Sequence, residues 1–366
     1  MPAMTTAATY FPESYAEARA RFLAACADAE IEVEQRPNPN AGPEGEALFC
    51  DVAWIGPRDA EAVLVVLSGT HGVEGFCGSG VQLGLLQSGL TAARPAGLAF
   101  LLVHAVNPYG FAWQRRVTEE NVDLNRNWLD HGGTHPANPG YDELHALLCP
   151  RDWSDAAIAE TQTALDIWEA THGTMALRAA ISGGQYGHAD GIFFGGTRDT
   201  WAKTNLEALL DGRLTKARRI GVIDLHTGLG PYGFGDRLLP FAPDDPVSLR
   251  AQDWFGGDCT DTPAGAHVNV ADLHGVSLPA IRDRLAAEIF VGIALEYGTV
   301  PSPDVRLAVR ADNWLHLHGQ LDSPKGRAIK EQIRGAFYPG NRDWKLQVWE
   351  RAEETVKLMV RGLTEG

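Results

Sequence analysis

The chain has 366 residues, 45% hydrophobic and 21% charged, a balance that suits a globular protein with a core of its own. Its 31 Lys and Arg stand against 47 Asp and Glu, a net charge of −16 that repels phosphate backbones and argues against a nucleic-acid partner. An anionic small molecule is compatible with that charge if arginines gather in one pocket.

The opening segment, MPAMTTAATYFPESYAEARARF, lacks the basic start and apolar run of a secretory signal. No apolar stretch approaches the roughly 20 residues of a membrane helix, so no membrane partner is expected. The five cysteines, Cys26, Cys50, Cys77, Cys149 and Cys259, are odd in number and lack CxxC spacing, as expected for reduced thiols in a cytoplasmic protein. Residues 14–36 carry helical spacing. Apolar runs at 47–55, 62–68, 98–106, 219–225 and 289–295 predict strands, apolar on both faces as inner strands covered by helices are. Helical patterns occupy 76–89, 154–173 and 197–214, and 325–337 and 343–363 are amphipathic. The Pro-, Gly- and Asp-rich stretches 130–143 and 240–248 read as loops. The expected fold is α/β, a mixed, mostly parallel central sheet with helices on both faces. It forms one domain over 1–366 with a helical C-terminal segment from about residue 300.

Ligands of open α/β sheets gather at the carboxyl ends of strands. There the sequence places GTHGVEG (69–75), His226 in DLHTG, and Glu296 in ALEYG, with NVDLNRNW (121–128) in a loop shortly after the third strand. His71, Glu74 and the distant His226 form a three-ligand set for Zn²⁺, the number a catalytic zinc takes from protein while keeping a position open. The glycines at 69, 72 and 75 allow both nearby side chains to face one point. The plainer alternative makes His71 a helix cap and Glu74 a partner of the helix dipole. Glu296, at the end of an apolar strand, should have a raised pKa.

The other histidines, His131, His135, His145, His172, His188, His267, His274, His316 and His318, have no ligand spacing that competes with this set, and His104 reads as a core residue. Cys77 lies near the first motif without an activating base beside it. A glycine-rich loop, SGGQYGHADGIFFGG (182–196), carries Tyr186 and reads equally as a pocket wall or a turn. In GLGPYGFGD (228–236) a formal GxGxxG is interrupted by Pro231 and opens no helix, which excludes a dinucleotide fingerprint; Tyr232 there is a candidate to face the site. GxSxG and phosphate-loop motifs are absent.

HGVE, NVDLNRNW, DLHTG and ALEYG, in that order over roughly residues 45 to 300, resemble the zinc carboxypeptidase superfamily, most closely its bacterial carboxypeptidase-like branch, with aspartoacylase and succinylglutamate desuccinylase as relatives. The resemblance implies one Zn²⁺ on His71, Glu74 and His226. It implies Asp123 as the carboxylate that orients a zinc-binding imidazole. Asn125 and Arg126 match the pair that grips a substrate carboxylate, and Glu296 matches the general base. Arg115 and Arg116 both offer the arginine that polarises the scissile carbonyl; their spacing from Trp113 departs from the family pattern, and Arg116 is preferred. The expected activity is hydrolysis of an amide bond beside a free carboxylate, in a small peptide or, alternatively, an N-acyl amino acid. The helical tail, in place of the β-rich domain of aspartoacylase relatives, favours the peptide. A non-catalytic carboxylate-binding module is the remaining alternative; it would not need an intact ligand set and base.

Overall fold

The structure, a computed structural model, describes residues 4–261 and 273–365; His267 lies outside them. The eight strands among the described residues are β1 (Val33–Ala41), β2 (Ala47–Ile55), β3 (Ala62–Leu67), β4 (Leu98–His104), β5 (Arg219–Tyr232), β6 (Gly235–Leu239), β7 (Thr260–Asp261) and β8 (Ile289–Gly298). They form one sheet in the order β1-β2-β4-β3-β5-β8-β6-β7. The central strands β4, β3, β5 and β8 run parallel, and β1, β2 and β6 pair antiparallel with their inner neighbours. β3 is buried at all six positions, which is why AVLVVL carries no polar alternation.

The helices are α1 (Tyr15–Asp28), α2 (Gly75–Gln87), α3 (Pro108–Ala112), α4 (Pro139–Leu148), α5 (Asp155–His172), α6 (Thr174–Ser182), α7 (Trp201–Arg213), α8 (Pro246–Trp254), α9 (Ser277–Leu285), α10 (Ser302–His318), α11 (Pro324–Phe337) and α12 (Arg342–Glu365). On one face Leu64, Val66, Leu102 and Ile223 pack with Phe22 of α1, Phe76 and Val81 of α2, and Val356 and Met359 of α12. On the other, Val63, Val65, Leu101 and Val222 pack with Leu206 and Leu209 of α7 and Ile281 of α9. Both faces are thus covered, as expected. No helix among the described residues is long and apolar enough to cross a membrane.

Several boundaries differ from the sequence expectation. Residues 14–36 are not one helix: Glu30 turns to φ +55, and from Val33 the chain becomes the edge strand β1. Its prolines, Pro37 and Pro39, are tolerated at an edge, and pairing to β2 overrides the weak helical pattern. The stretches 130–143 and 240–248 end in helix starts. Asn138 caps α4 and Asp245 caps α8, each followed by a proline in the first turn, so the same residues that suggest loops begin helices.

The C-terminal helices belong to the packed body. Trp344 of α12 is wholly buried, contacts Phe11 and Tyr338 edge-on, and donates its indole N–H to Gly298 O at the end of β8 (2.9 Å). Trp344→Ala should therefore cost about 3–5 kcal/mol in urea denaturation. A loss below about 1 kcal/mol would show that α12 is not integral to the fold.

Candidate metal and substrate site

Gly69 leaves β3 at φ +66, a conformation glycine adopts without penalty. Gly72 then presses on the backbone of α3, where a Cβ would meet the Gly110 carbonyl carbon at 2.0 Å. Backbone N–H groups of Gly72 and Val73 donate to the carbonyls of Arg116 and Arg115 (3.2 and 2.8 Å). The short 3₁₀ turn Gly72–Glu74 is thereby clamped, with His71 at its start and Glu74 at its end. His71 Nδ1 lies 2.9 Å from Glu74 Oε1, and its Nε2 lies 3.1 Å from Asp123 Oδ1.

His226 comes from β5. Its Nδ1 lies 2.9 Å from Glu74 Oε2, and its Nε2 lies 2.8 Å from Asp224 Oδ2. The two imidazoles thus direct Nδ1 at one carboxylate and back Nε2 against another. Asp224 was missed in the sequence reading. Strand alternation in DLH puts positions 224 and 226 on one face, which was the available signal. Thr70 Oγ1 holds Asp224 through its other oxygen (2.6 Å). Donor atoms of His71, Glu74 and His226 lie within 4.8 Å of one another, and all three residues are buried. Imidazole and carboxylate donors in this number, with each imidazole oriented by a carboxylate, fit a zinc ion.

Glu296 pairs with His226 across the parallel β5–β8 ladder, which sets the two side chains beside each other on one face. Its Oε1 accepts from Leu229 N (3.1 Å).

The electrostatics follow from burial against partners. Burial opposes ionisation of Glu74, but His71 and His226 outweigh it and hold the carboxyl well below its usual range. Burial likewise opposes charge on Asp123, and Arg116 and His71 overcome it. His226 would be lowered by burial, yet Asp224 and Glu74 raise it well above the ordinary imidazole value. Burial, reinforced by Glu74, pushes Glu296 up to about 8. A cation among the three ligands would favour the ionised carboxylate.

A cavity of about 280 Å³ opens over this floor. His71, His226, Glu296, Arg116, Asn125 and Arg126 all line it. Arg116 donates to Asp123 (3.0 Å) and Glu74 (3.1 Å), which keeps its guanidinium beside the ligands. Arg126 donates to the carbonyls of Ser182 (3.1 Å through Nε) and Asn125 (2.7 Å). Gly184, at φ +93, makes room for it, since a Cβ there would meet Arg126 Cδ at 2.6 Å. Phe193, in the glycine-rich loop, lines the cavity with both guanidinium groups near its ring (5.3 and 5.9 Å). That loop is therefore a pocket wall, through Ser182, Gly183 and Phe193 and not through Tyr186.

Three expected substrate contacts lie elsewhere. Arg115 points away from its neighbour and pairs with Asp312 (3.2 Å) and Asn121 (3.0 Å) in a buried network. Tyr186 donates its hydroxyl to the Arg126 carbonyl (2.7 Å) and stacks on His135, so it supports Arg126 from behind. Tyr232 is exposed and meets Asn341. None of the three lines the cavity. The Cys77 thiol is pushed up by burial and by Glu74, which makes it unreactive. His104 is a core residue stacked on Phe22, its Nε2 against Ser79 (3.0 Å), and burial lowers it to about 3. The spacing argument against the other histidines needs one correction. His145 of α4 and His188 stack at 3.9 Å, and with Asp190 they bring ligand atoms within 4.8 Å. This group is less buried, and His188 already meets Asp142 (2.9 Å).

A zinc ion on these ligands would take the Nδ1 lone pair of His226, whose proton affinity Asp224 and Glu74 raise above the ordinary imidazole value. Binding should therefore release about one proton, and affinity should rise with pH through the neutral range. Calorimetry in buffers of different ionisation enthalpy measures this; pH-independent affinity without proton release contradicts the ligand assignment. Asp224→Asn should weaken zinc roughly 10- to 100-fold, whereas unchanged affinity would reduce Asp224 to a partner of Thr70.

No curated protein matches the chain in sequence. Similar solved structures include bovine thrombin-activatable fibrinolysis inhibitor in complex with tick carboxypeptidase inhibitor (12% identity, 94% of this chain and 98% of that one, TM-score 0.45). Carboxypeptidase A from Helicoverpa armigera is similar at 12% identity over 89% of this chain and 74% of that one, with a TM-score of 0.45. Succinylglutamate desuccinylase from Chromobacterium violaceum is similar at 14% identity over 87% and 74%, with a TM-score of 0.38. One family model matches residues 11–351, nearly the whole chain, and the protein belongs to that family, described as Protein of unknown function (DUF2817).

Proposed function

We propose that the protein is a zinc-dependent hydrolase that cleaves an amide bond beside a free carboxylate, with one zinc per chain, and that its substrate is a small peptide losing its terminal residue. The observation that carries this reading is the convergence of His71, Glu74 and His226 at the floor of a cavity that Glu296, Asn125 and Arg126 also line. Bound there, zinc supplies Lewis acidity toward a carbonyl and acidifies water near neutral pH.

The chain's own residues supply the rest. Of the five N–H groups of Arg126, three are directed at carbonyls of Ser182 and Asn125, which leaves two to grip a carboxylate beside the Asn125 amide. Its acceptors are neutral, so its positive charge remains available to the substrate. Arg116 holds a further positive charge at the floor, where oxyanion character develops on the scissile carbonyl. Glu296 accepts the proton of the attacking water and returns it to the departing amine; a buried carboxyl with a raised pKa is suited to both transfers. A binding module has no use for such a group beside His226. Met175 of α6, which lines the cavity, is half exposed, so the cavity reaches the surface there, as a peptide substrate longer than the pocket would require.

Glu296→Gln should keep zinc and substrate affinity and lose roughly 10²–10⁴-fold in kcat. Peptides with amidated C-termini should be poor substrates for the wild type, and Arg126→Ala should discriminate little between free and amidated forms. Near-normal turnover by folded, zinc-loaded Glu296→Gln, or equal wild-type turnover of both termini, contradicts the mechanism. Cleavage confined to N-acyl amino acids would replace the peptide.

A further inference from the structure

Beyond the floor of the cavity, histidine and carboxylate donors converge in one further place among the described residues. Asp142 and His145 are three positions apart on α4, which sets both side chains on one helix face. Opposite them the glycine-rich loop 182–196 offers His188 and Asp190. The pairing is crossed: His188 Nε2 lies 2.9 Å from Asp142 Oδ1, and His145 Nε2 lies 3.4 Å from Asp190 Oδ1. The two imidazoles stack on each other with centroids 3.9 Å apart. Donor atoms of His145, His188 and Asp190 all lie within 4.8 Å of one another.

The loop half of the group is braced through its backbone. Gln185 accepts from His188 N (2.8 Å) and donates to His188 O (2.7 Å). Asn313 of α10 donates to Asp190 O (2.8 Å), and Asn121 donates to Ala189 O and Gly191 O (3.1 and 3.0 Å). The two loop donors are therefore presented to α4 in a fixed place, before any ion arrives. Ion pairing alone accounts poorly for the arrangement. Charging both pairs would set two imidazolium rings face to face, and like charges so close disfavour the charged form. Both carboxylates are more than half exposed, where such pairs are worth little. A divalent ion removes the conflict, because it binds neutral imidazoles and carries the positive charge that the two carboxylates share.

We propose that Asp142, His145, His188 and Asp190 hold a second divalent transition-metal ion, such as Zn²⁺, which fastens the glycine-rich loop to α4. Four protein donors fill a tetrahedral shell and leave no open position, so this ion is structural, whereas the three-ligand floor keeps a position for chemistry. The exposed carboxylates must swing inward to complete the shell. The second ion is therefore held less tightly than the first, and protein isolated without added metal keeps its one zinc at His71, Glu74 and His226. The fastening bears on the cavity, since the same loop places Phe193, three residues beyond Asp190, in the cavity wall. The site stands independently of the hydrolysis proposed above.

The test titrates the zinc-loaded wild type with further Zn²⁺ in equilibrium dialysis and follows amide hydrogen exchange over residues 182–196. One more ion per chain should bind, and exchange in the loop should slow as it does. His188→Gln and Asp190→Asn, checked for fold by thermal melting, should each keep the first zinc and lose both the second ion and the slowing. His71→Ala should do the reverse, losing the first ion and keeping the second. No second ion in excess zinc, or a second ion that His188→Gln and Asp190→Asn both retain at wild-type affinity, overturns the proposal. Binding at these residues with unchanged exchange in the loop overturns the fastening.

Discussion

The carboxylate of Glu74 joins two strand ends that are distant in sequence. One oxygen meets His71, beyond β3, and the other meets His226, on β5; the Thr227 amide donates to that second oxygen as well (3.0 Å). Neither imidazole can move without leaving a buried carboxylate partly unpaired, which is costly. The clamp on the 3₁₀ turn, the close approach at Gly72, and the pairing of Asp123 and Asp224 with the outer ring nitrogens all serve to hold this one contact. Glu296 then acquires its place from the β5–β8 register and its protonation behaviour from burial and from Glu74.

A second constraint is the distribution of charge. The chain as a whole is strongly acidic, and four of its arginines, Arg116, Arg126, Arg178 and Arg306, line this one cavity together with Asp224 and Glu296. Low-dielectric walls strengthen such a field, since Val305, Val309, Leu278 and Phe337 line the same space. Burial lowers the Arg126 pKa, and the neighbouring Arg116 lowers it further against the pull of Asp123. An anion held beside Arg126 would relieve that cost.

Much of this was legible in the sequence, for reasons of locality. His71 and Glu74 share one turn, so their spacing alone brings them together; His226 and Glu296 end apolar strands, which forecast one edge of a parallel sheet. Asp224 was equally within reach through strand alternation. Other features depend on tertiary contacts. Arg115 and Arg116 are adjacent, and only the packing of Asp312 and Asp123 decides which faces the cavity. The edge strand β1 has no alternation strong enough to announce itself and exists because β2 offers it a partner. Tyr186 and Tyr232 sit in glycine-rich segments near the site, but nearness along the chain does not fix where a ring points.

The most direct test of the account is anomalous diffraction at the zinc edge from crystals of the zinc-loaded protein. The account predicts one dominant peak within about 2.0–2.2 Å of His71 Nδ1, His226 Nδ1 and a Glu74 oxygen. A dominant peak at His145 and His188, or no peak between His71 and His226, would contradict it.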